Sequence, residues 1–188
     1  NIQAFQDYLV KEKNYSPLTV QAYLSDVQEF QLYLIDFQDA VNLETINYSQ
    51  VRCWIVVLME QNISATSINR KISSLKAFYK FLLKAKQITI NPLLKHKSLK
   101  TAKKVQIPFS EKELQDVFEF NSFENDFEGI RNQLIIELFY TTGIRRAEMI
   151  NLTLNNVNVA QKNIKVIGKR NKERIIPLLN CTLELIKA

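Results

Sequence analysis

Two stretches decide how the second half of the chain is read. The first is Thr142-Gly143-Ile144-Arg145-Arg146-Ala147-Glu148. The second is Ile164-Lys165-Val166-Ile167-Gly168-Lys169-Arg170-Asn171-Lys172-Glu173-Arg174-Ile175-Ile176-Pro177-Leu178. Ile130, Leu134, Ile135, Leu138 and Phe139 precede the first at helical spacing, which predicts a strongly apolar helix over 128–142. Gly143 suits the left-handed position that ends such a helix. A short helix over about 145–150 is expected next. Ile164, Val166 and Ile167 read as one strand, and Ile175, Ile176 and Leu178 as another. Gly168-Lys169-Arg170-Asn171-Lys172-Glu173 between them is a turn by composition, so the pair forms a hairpin with a basic tip. Thr182 onward begins a further helix.

The chemistry of these stretches centres on two cations. Arg145 opens a helix, where the helix dipole disfavours positive charge. A bound phosphate reverses that, because it meets both the guanidinium fork and the free N–H groups of the first turn. The alternative is an ion pair with Glu148 or Glu137. Arg146 points elsewhere on the helix, and Tyr140 reads as a core residue. Lys169 begins the hairpin turn, where a lysine can donate a proton to a leaving alkoxide or simply pair with charge. Alone, a hairpin lysine is unremarkable. A nucleotide-binding loop is excluded, because Gly168-Lys169 lacks a glycine-rich run and no Ser or Thr follows the lysine.

Upstream, Ser110 and Glu113 have capping-box spacing for a helix over 111–119. The run from Asn91-Pro92 to Pro108 contains Lys95, Lys97, Lys100, Lys103 and Lys104, has no steady periodicity, and reads as a basic linker over 91–108. Before it, four helices are expected. The first spans about 2–13, with Phe5, Leu9 and Val10. The second begins at Ser16-Pro17, a cap followed by proline at the first helical position, and runs to about residue 34. The third covers about 49–61, with Val51, Ile55, Leu58 and Met59 inward. The fourth covers 65–83 behind Ser64, with Ile68, Ile72, Leu75, Phe78, Tyr79 and Leu82 buried. On that fourth helix Lys76, Lys80 and Lys84 recur every four residues, and Arg70 and Lys71 lie just before them. Like charges at this spacing repel, and a phosphate backbone relieves the repulsion; a solvated helix face is the plainer reading. Gln21, Ser25, Asn69 and Ser73 are candidate base readers.

Composition supports a polyanion as partner. The chain has 188 residues, 46% of them apolar, and a net charge of +6. Residues 70–104 hold eleven basic side chains and no acidic one, residues 111–137 hold eight acidic against two basic, and residues 145–174 hold eight basic against two acidic. Two basic blocks around an acidic one point to two positive surfaces that a duplex can touch. Cys53 and Cys181 are far apart and form neither a disulfide framework nor a zinc pattern, and no apolar run has the length of a membrane span. No metal, no other cofactor, no membrane association and a cytoplasmic location are the expectations.

Taken jointly, the two stretches resemble the tyrosine recombinases of the phage-integrase family, and within it the Xer branch of bacterial chromosome-dimer resolvases. Tyr15-Ser16-Pro17-Leu18-Thr19-Val20 and Tyr23 are similar to that family's core-binding domain. The resemblance implies a mainly α fold. A four-helix, SAM-like core-binding domain over 1–90 is joined by the linker to a truncated α+β catalytic domain over 109–188 with a small β-hairpin. It implies that Arg145 holds the scissile phosphate, that Lys169 is the general acid for the 5′-hydroxyl leaving group, and that Glu148 supports the arginine. It further implies that the protein clamps double-stranded DNA, cuts it through a 3′-phosphotyrosyl intermediate without ATP or metal, and works as a homotetramer or paired-recombinase synaptic complex. Arg70, Lys71, Lys76, Lys80, Lys84, Lys95, Lys97, Lys100, Lys103, Lys104, Arg146, Arg170 and Lys172 are the candidate DNA contacts.

The family's His-x-x-Arg motif and late nucleophile have no counterpart here. The seven tyrosines, at 8, 15, 23, 33, 48, 79 and 140, all precede Arg145, and the only histidine is His96. The chain is therefore expected to be an inactive, monomeric piece of a longer recombinase. Two alternatives stay open: an integrase of a phage or mobile element, and a DNA-binding protein without catalysis.

Overall fold

Side-chain oxygens cap several of the helix starts. The computed structural model describes every residue except 39–41, 103–104, 121–122 and 169–170. Lys103, Lys104, Lys169 and Arg170 therefore lie outside the described residues. The chain divides into two compact units, Asn1–Val105 and Gln106–Ala188.

In the first unit, α1 (Ile2–Asp7) passes into a π-turn over Tyr8–Glu12. The wider turn brings both Tyr8 and Leu9 inward and leaves Val10 exposed, against the sequence reading. Ser16 accepts a hydrogen bond from the Thr19 N–H, and α2 (Pro17–Gln38) follows, four residues longer than expected. Asn47 and Gln50 form a reciprocal capping box at the start of α3 (Tyr48–Glu60). Ser64 caps α4 (Ala65–Lys84) by accepting from the Ser67 N–H at 3.2 Å. Every apolar residue expected inside α4 is buried. On α3 the reading is corrected at one position: Trp54 is buried and Met59 is exposed. Trp54 lies against Phe30 of α2, with ring centroids 5.0 Å apart. Phe5, Phe78 and Tyr79 complete this aromatic core. Tyr79 donates its hydroxyl to the Leu43 carbonyl at 2.9 Å, and burial pushes its phenol above the ordinary range.

The segment read as a linker has a more definite start than its composition implied. Leu93 and His96 are buried and Leu99 packs on the first core. The Asn69 amide both donates to the Leu99 carbonyl and accepts from its N–H, each at 2.9 Å. The first unit therefore extends past the helices to Val105.

In the second unit, Ser110 and Glu113 cap α5 (Glu111–Phe120) as expected, with the Ser110 N–H donating to Glu113 at 2.7 Å. Asp126 caps α6 (Phe127–Thr142), which ends at Gly143 with φ +58°. α7 (Arg146–Ile150) leads through a 3-10 turn (Leu154–Asn156) into a three-stranded antiparallel sheet. Its strands, in order, are β1 (Val157–Asn158), β2 (Asn163–Gly168) and β3 (Lys172–Pro177). The two-residue β1 is too short to leave a periodic signal. α8 (Asn180–Lys187) closes the unit against α6. The core is Leu138, Ile144, Ile164, Val166, Leu178 and Leu183.

The expectation of a core role for Tyr140 is overturned: it is 59% exposed, and Phe139 is 38% exposed. α6 packs on α8 and sends Leu134 and Leu138 into the second core, which does not include Tyr140. Tyr140 instead meets the Phe118 ring of α5 in a tilted arrangement, at 5.8 Å between centroids. Among the described residues no helix is long and apolar enough to cross a membrane.

Candidate phosphate site and nucleic-acid interface

Gly143 turns the chain sharply out of α6, and buried Ile144 anchors the next residue against the second core. Thr142 steadies this turn by accepting from the Ile144 N–H at 3.2 Å. Arg145 then takes the cap position of α7 in extended conformation. Its backbone N–H donates to Glu148 Oε2 at 2.9 Å, and its Nη1 donates to Glu148 Oε1 at 2.7 Å. The ion pair with Glu148, the plainer of the two sequence readings, is therefore present. It occupies one edge of the guanidinium only. The Arg145 side chain remains 66% exposed, so its other N–H groups face solvent. Glu137, the other partner considered, instead accepts from Cys181 and Thr182.

Glu148 is the centre of the arrangement. It is buried, and Arg174 reaches it from β3 with a second fork: Nη1 to Oε1 and Nη2 to Oε2, both at 2.9 Å. Two guanidiniums thus share one carboxylate. The Arg145 backbone N–H, then the Arg145 side chain and the charge of Arg174, hold the Glu148 carboxyl below its usual range, while burial acts in the opposite direction.

Arg174 did not emerge as a site residue from the sequence, although a signal for it exists. Val166 pairs with Arg174 across the ladder and Ile164 with Ile176. Directly opposed residues share a sheet face, so Arg174 lies on the face that buries Ile164 and Val166. A charged residue on the inward register of a hairpin calls for a buried partner.

The hairpin also brings Gly168 to the pair. A Cβ placed on Gly168 would lie 3.0 Å from Glu148 Oε1 and 3.7 Å from Arg145 Nη1. The residue immediately before Lys169 is thus packed beside the Arg145–Glu148 pair. Lys172, opposite Gly168 in the ladder, and Arg146 are exposed.

The basic face of α4 is less bare than its sequence implied. Arg70 gives two hydrogen bonds to buried Asp26 of α2, at 2.8 and 2.9 Å. Lys71 pairs with Asp26 at 3.4 Å and with Glu29. Lys84 pairs with Glu12 at 2.7 Å, and Lys76 donates to the His96 carbonyl at 3.3 Å. Lys80 is exposed, with no carboxylate partner among the described residues, and Lys95, Lys97 and Lys100 are exposed as well. The carboxylates that answer Arg70, Lys71 and Lys84 come from α2 and the π-turn, at sequence distances where no local pattern could announce them. Of the candidate base readers, Asn69 is committed to Leu99, and Ser73 donates to the Asn69 carbonyl at 2.8 Å. Gln21 and Ser25 remain exposed on α2.

Comparison with known proteins covers both units. Residues 2–86 match the family model described as phage integrase, N-terminal SAM-like domain, and residues 109–188 match that of the phage integrase family. The chain is 34% identical over 173 residues to the tyrosine recombinase XerC of Staphylococcus haemolyticus, covering 92% of this chain and 57% of that protein. It is 33% identical over 186 residues to the tyrosine recombinase XerC of Bacillus subtilis, covering 99% of this chain and 60% of that one. It thus spans about three-fifths of the length of these relatives. Two solved structures share the fold. The Tn1549 transposon integrase in complex with transposon right end DNA matches with a TM-score of 0.74 at 16% identity, over 99% of this chain and 63% of that one. A lambda integrase dimer bound to a COC′ core site matches with a TM-score of 0.72 at 17% identity, over 99% of this chain and 64% of that one.

Proposed function

Because the chain belongs to the phage integrase family of tyrosine recombinases, we propose that it carries the DNA-clamping helices and the phosphate-holding half of a site-specific recombinase of the Xer type. The reading rests most heavily on one observation. Arg145 is fixed at a helix start by Glu148, with one edge of its guanidinium open and Gly168 packed beside it. Relatives named XerC, at 33–34% identity, support the Xer branch over a mobile-element integrase.

In this reading Arg145 presents its free N–H groups to the non-bridging oxygens of the scissile phosphate and stabilises the charge that builds there. Lys169 donates a proton to the departing 5′-oxygen. A tyrosine from the rest of the recombinase attacks phosphorus, and the 3′-phosphotyrosyl link conserves the energy of the broken phosphodiester bond. The reverse attack by a 5′-hydroxyl rejoins the strand. The partners are duplex DNA and further copies or a paired recombinase, assembled for chromosome-dimer resolution in the cytoplasm. Residues 1–90, 91–108 and 109–188 serve as clamp, basic linker and catalytic portion.

The test is covalent capture on a nicked recombination-site duplex, read on a denaturing gel. The complete recombinase traps a protein–DNA band. Its Arg145→Ala and Lys169→Ala variants lose at least about a hundredfold in cleavage while retaining most of their DNA binding. The 188-residue chain alone traps none, since all its tyrosines precede Arg145. A covalent band from the chain alone, or full cleavage by Arg145→Ala, overturns the reading.

A further inference from the structure

We propose that Arg174 is a positioning residue for the phosphate site, acting through Glu148 to leave Arg145 a usable positive charge; this deepens the recombinase reading and rests on it. The arithmetic is local. Glu148 carries one negative charge and is held at 2.7–2.9 Å by both arginines. With Arg145 alone, the pair is neutral, and a phosphate approaching it meets a cation already cancelled. With Arg174 added, the three groups sum to +1, and Arg145 is the more exposed cation, at 66% against 37% for Arg174. The surplus charge therefore meets solvent largely through the Arg145 guanidinium.

Geometry supports the same role. Arg174 places one nitrogen on each carboxylate oxygen, which fixes the plane of the Glu148 carboxyl. That plane presents Oε1 to Arg145 Nη1 and Oε2 to the Arg145 backbone N–H. Because Arg174 lies two residues beyond Lys172, the ladder partner of Gly168, the same fork ties the end of the hairpin to α7. Lys165 and Glu173, at 3.0 Å, cancel one another and contribute no competing charge.

The test uses the complete recombinase and single-turnover cleavage of a nicked site duplex. One substrate has an ordinary scissile phosphate, and the other has a neutral methylphosphonate at that position. Arg174→Gln is expected to slow cleavage of the phosphate substrate at least tenfold, with DNA affinity within threefold of wild type. The wild-type advantage shrinks to less than threefold on the methylphosphonate, which needs no surplus cation. Arg174→Lys, which keeps the charge but loses the fork, stays within fivefold of wild type on both substrates and decides the matter if Arg174→Gln does not fold. Equal slowing of Arg174→Gln on the two substrates marks a merely structural role and overturns the proposal. So does Arg174→Lys falling more than tenfold on both, or Arg174→Gln cleaving like wild type. If the wild-type recombinase forms no covalent complex at all, the recombinase reading fails and this proposal falls with it.

Discussion

Asp26 and Arg70 are 44 residues apart in sequence and joined by two parallel hydrogen bonds of 2.8 and 2.9 Å. The Asp26 side chain is buried, whereas half of the Arg70 side chain meets solvent. Ser74 adds a third bond at 2.7 Å and Lys71 a fourth at 3.4 Å, so this one carboxylate fastens α2 to α4. An unpaired charge there would be costly to bury, and the four donors remove that cost. Asp26→Asn keeps the shape and loses the charge. Arg70 can regain water and Lys71 keeps Glu29, so the loss is expected to be about 2–3 kcal/mol, below that of stranding a wholly buried ion. Urea denaturation of the chain measures it. A change under about 0.5 kcal/mol would mean that the pair is neutral in stability.

Gly168 is constrained by what lies beside it and not by its backbone, since Gly143 is the one described glycine in the left-handed region. An added Cβ sits 3.0 Å from Glu148 Oε1, and that carboxylate is pinned by four hydrogen bonds and cannot retreat freely. Gly168→Ala is therefore expected to cost about 1 kcal/mol of stability. It should also slow cleavage by the complete recombinase about tenfold through displacement of Arg145. Wild-type cleavage by Gly168→Ala would show that the carboxylate has room to move.

What the sequence made legible is local, and what it hid is not. Ser16, Ser64, Ser110 with Glu113, and Gly143 each announce a helix boundary through bonds made within three or four residues, and all four were readable. The buried face of α4 was readable because its apolar spacing alone selects it. Trp54 is inward and Met59 exposed because packing on Phe30 of another helix, and not apolar spacing alone, selects the buried face of α3. Tyr140 was misplaced because apolarity says nothing about which neighbours arrive to cover it. Within the candidate site, the Arg145–Glu148 pairing is legible because both residues lie in one local motif. The contact of Arg174 with Glu148 is not legible locally because it depends on strand register, which places Arg174 opposite Val166. The paired state of Arg70, Lys71 and Lys84 depended likewise on carboxylates from distant helices.

His96 gives the first unit a pH dependence of definite sign. The ring is buried, Nδ1 lies 3.2 Å from the Tyr48 hydroxyl, and Nε2 has no hydrogen-bond partner among the described residues. Burial, followed by the charge of Lys76, pushes its pKa below the ordinary histidine value. The unfolded chain takes up the proton near pH 6.5, while the folded unit still resists it. Below about pH 6.5 the unfolded state thus binds more protons, and stability falls until the folded pKa is passed. Well above about pH 6.5, neither state binds the proton and this group contributes no slope. The urea midpoint of wild type should drop further between pH 7.5 and 5.5 than that of His96→Gln. Parallel pH profiles for the two proteins would remove His96 as the cause.

The basic residues of α4 should differ in what they contribute to DNA binding, and the ion pairs rank them. Each phosphate neutralised by a free cation adds about 0.9 to the slope of log affinity against log salt. Lys80 has no carboxylate partner among the described residues, so Lys80→Gln should lower the slope by nearly that amount. Lys84 must first leave Glu12, which holds it at 2.7 Å and raises its pKa, so Lys84→Gln should lower the slope less. Lys71 is 13% exposed and engaged by both Asp26 and Glu29, so Lys71→Gln should barely change it while destabilising the fold. Fluorescence anisotropy of a labelled site duplex between 50 and 200 mM salt measures all three slopes. A Lys71→Gln slope change as large as that of Lys80→Gln would show that DNA draws these lysines out of their ion pairs, and that the pairs in the free protein do not determine which residues contact phosphate.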